Sequence, residues 1–396
     1  MSGAGEDIGV QPLSGLRVID FSQVVLGPCA TQVLADYGAD VIKIERPGTG
    51  DILRSAISDN VDPDNPVFRS VNRNKRSIAL DLRKPDGKAV VYDLIGSADV
   101  VVSNFRAGVI ERMGFGYSQL SEINPRIICA QGTGFGLDGP LSYKGGQDIL
   151  AQAMSGVMMR RSNHTDPLSI YATSLCDYTA GMHLTQAILL ALLHREKTGR
   201  GQNVSVSLFS SMLAMQLQEA AMWFDRGQHL NWGAYPLTGV FETTDGAVVL
   251  VDAFKENPLR DICAALAIPD LSLDPSYSTL DGQFASKPYL QSVLREQFRT
   301  NTTAYWLARL DEQDLLCCPV LTMTEALEHE QTRINGTVIA DAQGARMIGT
   351  PLTMDSAAFR VRRDAPRLGE HSDAVLGEFG YDANRIRALR AQGIVS

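Results

Sequence analysis

A chain of 396 residues that is 44% hydrophobic and 20% charged holds more apolar material than one small core can use and enough for two domains. Its net charge of −9 excludes nucleic-acid binding through a general positive field, so an anionic ligand must be met by local Lys, Arg and helix N-termini. Six cysteines, none in a CxxC pair and two adjacent (Cys317 and Cys318), match neither a zinc cluster nor a disulfide framework, and no metal is expected. The opening MSGAGEDIGVQPL is acidic without an apolar signal core, and no apolar stretch is long enough to span a membrane. The expectation is a cytoplasmic protein, or one of a soluble organelle interior, with no membrane partner.

In chain order, LRVIDFS (Leu16–Ser22) reads as a buried strand. GPCATQVLADYGAD places Pro28 at a helix start and Gly38 at its stop. Strands follow at Asp40–Arg46, Ser77–Leu82, Asp99–Phe105 and Arg126–Gly134, separated by helix-length connections. That alternation predicts parallel βαβ units and a doubly wound α/β domain. A long helix after Asp177 ends in LLHREKTGRG, with basic residues and glycine where a C-terminus wants them. Asn203–Phe209 alternates as a half-buried strand, and SSMLAMQLQEAAMWFDRGQ reads as one amphipathic helix with methionines in the core. The texture changes near Gln228: GVFETTDGAVVLVDA predicts a hairpin on Asp245–Gly246, followed by three helical patterns. The predicted domains are 1–228 (large α/β, first part), 229–327 (small α+β) and 328–396 (a return segment completing the large domain).

Two features carry chemistry. GFGLDG (Gly134–Gly139) matches GxGxxG after a predicted strand, but Pro140 follows and the next helix starts near Asp148, so it is no dinucleotide fingerprint. P-loop, HExxH and GxSxG motifs are absent. In SLCDYTAGMHLTQAILLALLH, Asp177 stands at the head of a helix whose next seventeen residues hold no other acid or base but two histidines. Helix capping is one reading of Asp177; an ionised, positioned nucleophile is the other. Arg46, Asn104 and Phe105 fall at carboxyl ends of predicted strands, the side of an open α/β sheet that faces its ligand. Cation, amide and aromatic together suit a phosphorylated adenine nucleotide.

The blocks LRVIDFSQVVLGPCATQVLADYGADVIKIERPGTGD, NRNKRSIALDL, FRAGVIERMGFGY, GTGFGLDGP and LCDYTAGMHLTQAILLALLHREKTGRGQNVSVSLF resemble the successive signatures of the family III CoA-transferases. That family includes formyl-CoA transferase, carnitine CoA-transferase and the α-methylacyl-CoA racemases. The resemblance implies that Asp177 attacks an acyl-CoA thioester, giving a mixed anhydride and then an aspartyl-CoA thioester from which the acceptor acid takes CoA. It implies a CoA site formed by Gln23, Val24, Arg46, Asn72, Lys75, Arg76, Asn104, Phe105, Arg112 and Met113, with the four basic residues as phosphate partners. It also implies a doubly wound large domain plus a small domain, in two chains interlocked as a homodimer. No permanently bound cofactor is expected; CoA and acyl-CoA are substrates.

The pattern departs from the family in two places. Gln147 stands in GGQD where racemases carry histidine and many transferases tyrosine. An amide is no general base, so racemisation is disfavoured, with His164 and His183 as the remaining bases; Gln147 is expected to donate hydrogen bonds to an acyl carboxylate or oxyanion. The glycine run of formyl-CoA transferase is replaced by DAFKENPL (Asp252–Leu259), which disfavours formyl-CoA and oxalate as the native pair. The expected activity is CoA transfer among short dicarboxylates, with succinyl-CoA as donor. The alternatives are a 2-methylacyl-CoA racemase or intramolecular CoA-transferring isomerase, and a non-catalytic CoA-binding protein.

Overall fold

A computed structural model describes residues 11–56, 64–163, 165–341 and 343–396. The chain divides into two compact units, one drawn from Met1–Val157, Ile170–Met215 and Ile334–Ser396, the other from Met158–Ser169 and Gln216–Arg333.

The first unit is built on a six-stranded sheet: β1 (Arg17–Asp20), β2 (Asp40–Glu45), β3 (Arg76–Ala79), β4 (Val100–Ser103), β5 (Ile128–Thr133) and β6 (Asn203–Ser207), in the order β3-β2-β1-β4-β5-β6. Every pairing is parallel. A parallel sheet needs cover on both faces, and alternation along each strand divides the apolar residues between two cores. Ile19, Ile42, Val101 and Cys129 join the helix Pro85–Ile95 and the C-terminal Val375, Leu376 and Leu389. Val18, Val41, Val100 and Ile128 face the opposite way, onto the helices Leu26–Asp36 and Leu175–Thr198. The doubly wound architecture is therefore present. The chain ends by closing the β3 edge: Val395 bridges Leu80 antiparallel, and Ser396 N–H donates to Ala79 C=O.

The order reverses between β1 and β4, which opens a crevice at their carboxyl ends. The two loops leaving those strands are tied across it. Asn104 Oδ1 accepts Gln23 N–H at 2.8 Å, and Asn104 Nδ2 donates to Gln23 C=O at 2.6 Å.

The second unit carries an antiparallel sheet of β7 (Gly239–Glu242), β8 (Ala247–Val251) and β9 (Leu316–Pro319), in that order. The β7–β8 hairpin turns through Asp245–Gly246 as expected, with Thr243 N–H on Gly246 C=O. At its core Phe241 stacks on Phe298, and Trp306 meets Phe298 edge to face. The helix expected over SSMLAMQLQEAAMWFDRGQ is two: Leu208–Met215, which buries Leu208 and Met212 in the first unit, and Leu217–Arg226 in the second.

Candidate active site

The turn after β1 is held from four directions. Ser22 N–H donates to Asp20 Oδ1, Lys43 Nζ donates to Ser22 C=O at 2.7 Å, Asn104 grips Gln23, and Asp51 Oδ1 accepts Val24 N–H at 3.1 Å. Val24 needs that restraint, because it sits at φ 66°, costly for a β-branched residue. Lys43 and Asp51 form a fully buried ion pair beneath the turn. Burial and two buried charges at this density are tolerated only because nearly every polar atom is matched.

Beside this turn, Phe21, Gln23, Ile44, Arg46, Leu80, Phe105 and Met113 line a cavity of about 300 Å³, most of its exposed wall apolar. Gln23, Arg46, Phe105 and Met113 are thus brought together at the carboxyl ends of β1, β2 and β4. Arg46 and Arg112 are exposed and have no ion pair or side-chain hydrogen bond among the described residues. Arg106, which the sequence reading passed over, is a third such cation, and its guanidinium lies against Gly145, where a Cβ would stand 2.8 Å from Nη2. Glu45, Asp81 and Arg83 line the cavity too, with Arg83 paired to Asp81, so Arg46 is its one unpaired cation among the described residues; an apolar slot beside such a guanidinium suits an adenine ring with a nearby phosphate.

Three predicted residues lie elsewhere. Lys75 is fully buried, its Nζ on Asp20 Oδ2 (3.2 Å), Pro28 C=O (3.0 Å) and Asn72 Oδ1 (2.9 Å). Burial pulls its pKa down to about 8 in spite of Asp20. Asn72 is equally buried and donates to Phe68 C=O. Arg76 opens β3 at the amino end of the sheet, bound to Asp40 and Glu378. Sequence spacing places these three near the strand NRNKRSIALDL but not on which side of it they point.

Asp177 is the third residue of the helix Leu175–Thr198, and Ser174, not Asp177, is the N-cap; its side chain makes no capping hydrogen bond. The capping expectation for Asp177 is thereby corrected. The free N–H groups of Cys176 and Asp177 go instead to Asp148 Oδ2, at 2.7 and 3.0 Å. The Asp177 carboxylate itself makes no hydrogen bond among the described residues. Burial, then the neighbouring Asp148 charge, raise its pKa to about 6, outweighing the helix N-terminus that favours the anion. Gly181, one turn on, lets this helix approach the first one: a Cβ there would stand 2.9 Å from Leu26 C=O. Gln23 lines the cavity and Leu26 touches the Asp177 helix, so one turn borders both.

Gln147 is exposed and caps the helix Asp148–Met154, its Oε1 accepting Ile149 N–H at 3.0 Å. Its amide nitrogen is unengaged among the described residues. His183 lies nearly two turns beyond Asp177 on a different face of the helix. His164 lies outside the described residues.

The model of CoA-transferase family III matches residues 13–372. The chain belongs to that family. It is 35% identical over 412 residues to a formyl-CoA:oxalate CoA-transferase of Escherichia coli O157:H7, covering 96% of this chain and 98% of that one. It is 34% identical to an acyl-CoA transferase of Fusarium pseudograminearum, covering 97% and 88%. A CaiB/BaiF family protein from Brucella suis superposes with a TM-score of 0.84 at 29% identity, covering 93% of this chain and 99% of that structure. This family III CoA-transferase is therefore an enzyme acting on CoA thioesters. Among its described residues no helix is long and apolar enough to cross a membrane.

Proposed function

We propose that this enzyme moves CoA from an acyl-CoA thioester to a free carboxylic acid through covalent intermediates on Asp177. The observation that carries the reading is a carboxylate with unengaged oxygens in the first turn of a long helix, bordered by the turn that also lines the apolar cavity beside Arg46. At a pKa of about 6, roughly nine-tenths of the carboxylate is ionised at pH 7, yet it is more basic and more nucleophilic than a solvated aspartate.

The chemistry balances without ATP. An Asp177 oxygen attacks the thioester carbonyl and CoA thiolate leaves, giving a mixed anhydride. The thiolate returns to the Asp177 carbonyl carbon, forming an aspartyl thioester and releasing the first acid. The acceptor carboxylate attacks that thioester, expelling thiolate into a second anhydride. Thiolate attack at the acceptor's carbonyl yields the new acyl-CoA and frees Asp177. Arg46, Arg106 and Arg112 hold the CoA phosphates, while Phe105 and Met113 flank the adenine.

The acids we assign are short dicarboxylates, with succinyl-CoA as donor. The Escherichia coli relatives, named for oxalate, support a small diacid, while Phe254 in the place of a glycine run supports a pair other than formyl-CoA and oxalate. An interlocked homodimer is supported by the exposed Ile149, Leu150, Met154, Leu189, Leu190 and Leu193, too many large apolar side chains to leave in water. A cytoplasmic location fits the free, unpaired cysteines. Against the racemase reading stands Gln147, an amide that accepts no proton.

The test is to incubate the enzyme with hydroxylamine and a panel of acyl-CoAs that includes succinyl-CoA and formyl-CoA, then weigh the peptide carrying Asp177. A hydroxamate on Asp177 with one donor identifies route and substrate together. An unmodified Asp177 across the panel, with CoA still bound, rejects the covalent route.

A further inference from the structure

The glycine run Gly134–Gly139 and the GGQD segment serve no dinucleotide, and their geometry assigns them another use. Gly134 follows β5 and is crossed by Gly146 so closely that a Cβ on either would stand 2.5 Å from the other's Cα. Phe209 N–H donates to Gly134 C=O at the same place. This crossing of two bare backbones fixes where the helix Asp148–Met154 begins, with Gln147 as its cap.

Asp148 is thereby driven inward and is only 5% exposed. One of its oxygens is spent on the segment around Asp177 and the other on its own helix. Oδ2 takes the N–H groups of Cys176 and Asp177, and Oδ1 takes Gln152 Nε2 at 2.6 Å. Gln152 is fully buried and reads both backbone groups of Tyr171, Oε1 accepting its N–H at 3.0 Å and Nε2 donating to its C=O at 3.1 Å. The chain entering the Asp177 helix is therefore held at Tyr171 and again at Cys176–Asp177 by one helix 28 residues upstream.

We propose that Asp148 is a positioning residue for Asp177: a carboxylate from another element takes over the helix cap and sets a fixed negative charge beside the reacting oxygens. This rests on the reading of Asp177 as nucleophile. Had Asp177 capped its own helix, its lone pairs would be spent on backbone N–H groups. With Asp148 in that role they stay available. The neighbouring charge also disfavours the free Asp177 anion, and acylation removes that anion, so the pair is relieved in the covalent intermediate.

The other titratable groups that interact with Asp177 are the Cys29 thiol, from the helix Leu26–Asp36, and Cys176 on its own helix; Tyr178, next in the chain, interacts with Cys29. Burial pushes Cys29 up to about 11 and Cys176 up to about 12, and it raises the Tyr178 phenol. All three are neutral at pH 7, which leaves Asp148 as the charge acting on Asp177.

The experiment compares wild type with Asp148→Asn and with Asp148→Ser, each keeping a neutral cap oxygen. Carboxyl-13C aspartate labelling, with Asp177→Asn to assign the resonance, reads the Asp177 titration without any substrate. The expected midpoint is about 6 in wild type and moves down in both variants while staying above the ordinary aspartate value, because the burial that contributes most remains. The acid limb of hydroxamate formation moves down with it, and the plateau rate falls about tenfold as the nucleophile loosens. A folded variant whose midpoint and acid limb both stay in place overturns the proposal. Wild-type protein that forms no hydroxamate with any donor overturns the nucleophile reading instead, whatever the midpoints do.

Discussion

The two ends of the parallel sheet in the first unit are both rich in arginine and use it differently, the carboxyl end pairing Arg54 with Glu45 and Arg83 with Asp81 but leaving three others unpaired. At the amino end, Arg17 pairs with Asp40, Arg76 with Asp40 and Glu378, and the buried Arg73 with Asp36 and the Ile348 carbonyl. At the carboxyl end, Arg46, Arg106 and Arg112 stand exposed with no acidic partner among the described residues. A guanidinium already matched to a carboxylate contributes to structure and has little left for a ligand. An unmatched one, beside an apolar slot at a topological switch point, has its binding capacity in reserve. The difference teaches that partner inventory, not residue type or position in a motif, separates cations spent on the scaffold from cations left unpaired.

The sharpest way to break this contrast is at the amino end. Arg73→Ala leaves Asp36 charged and buried and frees the segment around Ile348, so a loss of about 3–5 kcal/mol is expected in denaturant unfolding. CoA affinity of the folded fraction should be unchanged; a parallel drop in CoA binding would merge the two ends. At the carboxyl end the reverse holds. Arg46→Ala or Arg112→Ala should weaken CoA binding by about 1.5–3 kcal/mol, roughly 10- to 100-fold by calorimetry, with Tm nearly unmoved. A matching titration of Arg76→Met that weakened CoA equally would place Arg76 in the ligand site after all.

A smaller effect concerns Asp177. Its folded pKa, about 6, lies above the ordinary aspartate value of 3.8. Between those two pH values the folded state binds the extra proton, so stability from this group is present at low pH and is lost as pH rises through about 6. Asp177→Asn should therefore stabilise the protein by about 1–2 kcal/mol at pH 7, with the gain vanishing below about pH 4. An asparagine variant less stable than wild type at pH 7 would show that Asp177 is a structural cap and no strained nucleophile.

Much of this was legible in the sequence because it is local. Alternation and length announce the strands, Gly38 (φ 110°) and Gly199 (φ 72°) end their helices, and the hairpin follows from Asp245–Gly246. Asp177 stands out because the helix around it is otherwise so poor in charge. Lys75 and Arg76 were less readable. Lys75 precedes the strand that Arg76 opens; Lys75 is buried on Asp20 while Arg76 pairs with Asp40 and Glu378, and neither destination is coded within NRNKR. Arg106 was passed over because nothing in FRAGVIERM distinguishes it from Arg112 until Gly145 is seen against it.

What the sequence by itself determined, then, is the βαβ alternation, the family and the aspartate at the head of a helix, all carried by side-chain chemistry at short spacing. Only the tertiary structure decided which cations are free, that Asp148 rather than Asp177 accepts the first N–H groups of the helix Leu175–Thr198, and that two glycines twelve residues apart cross backbone to backbone to put it there. The reason is physical. A propensity acts within a turn or a strand, whereas a charge acts on whatever the fold brings within a few ångströms, from any distance along the chain.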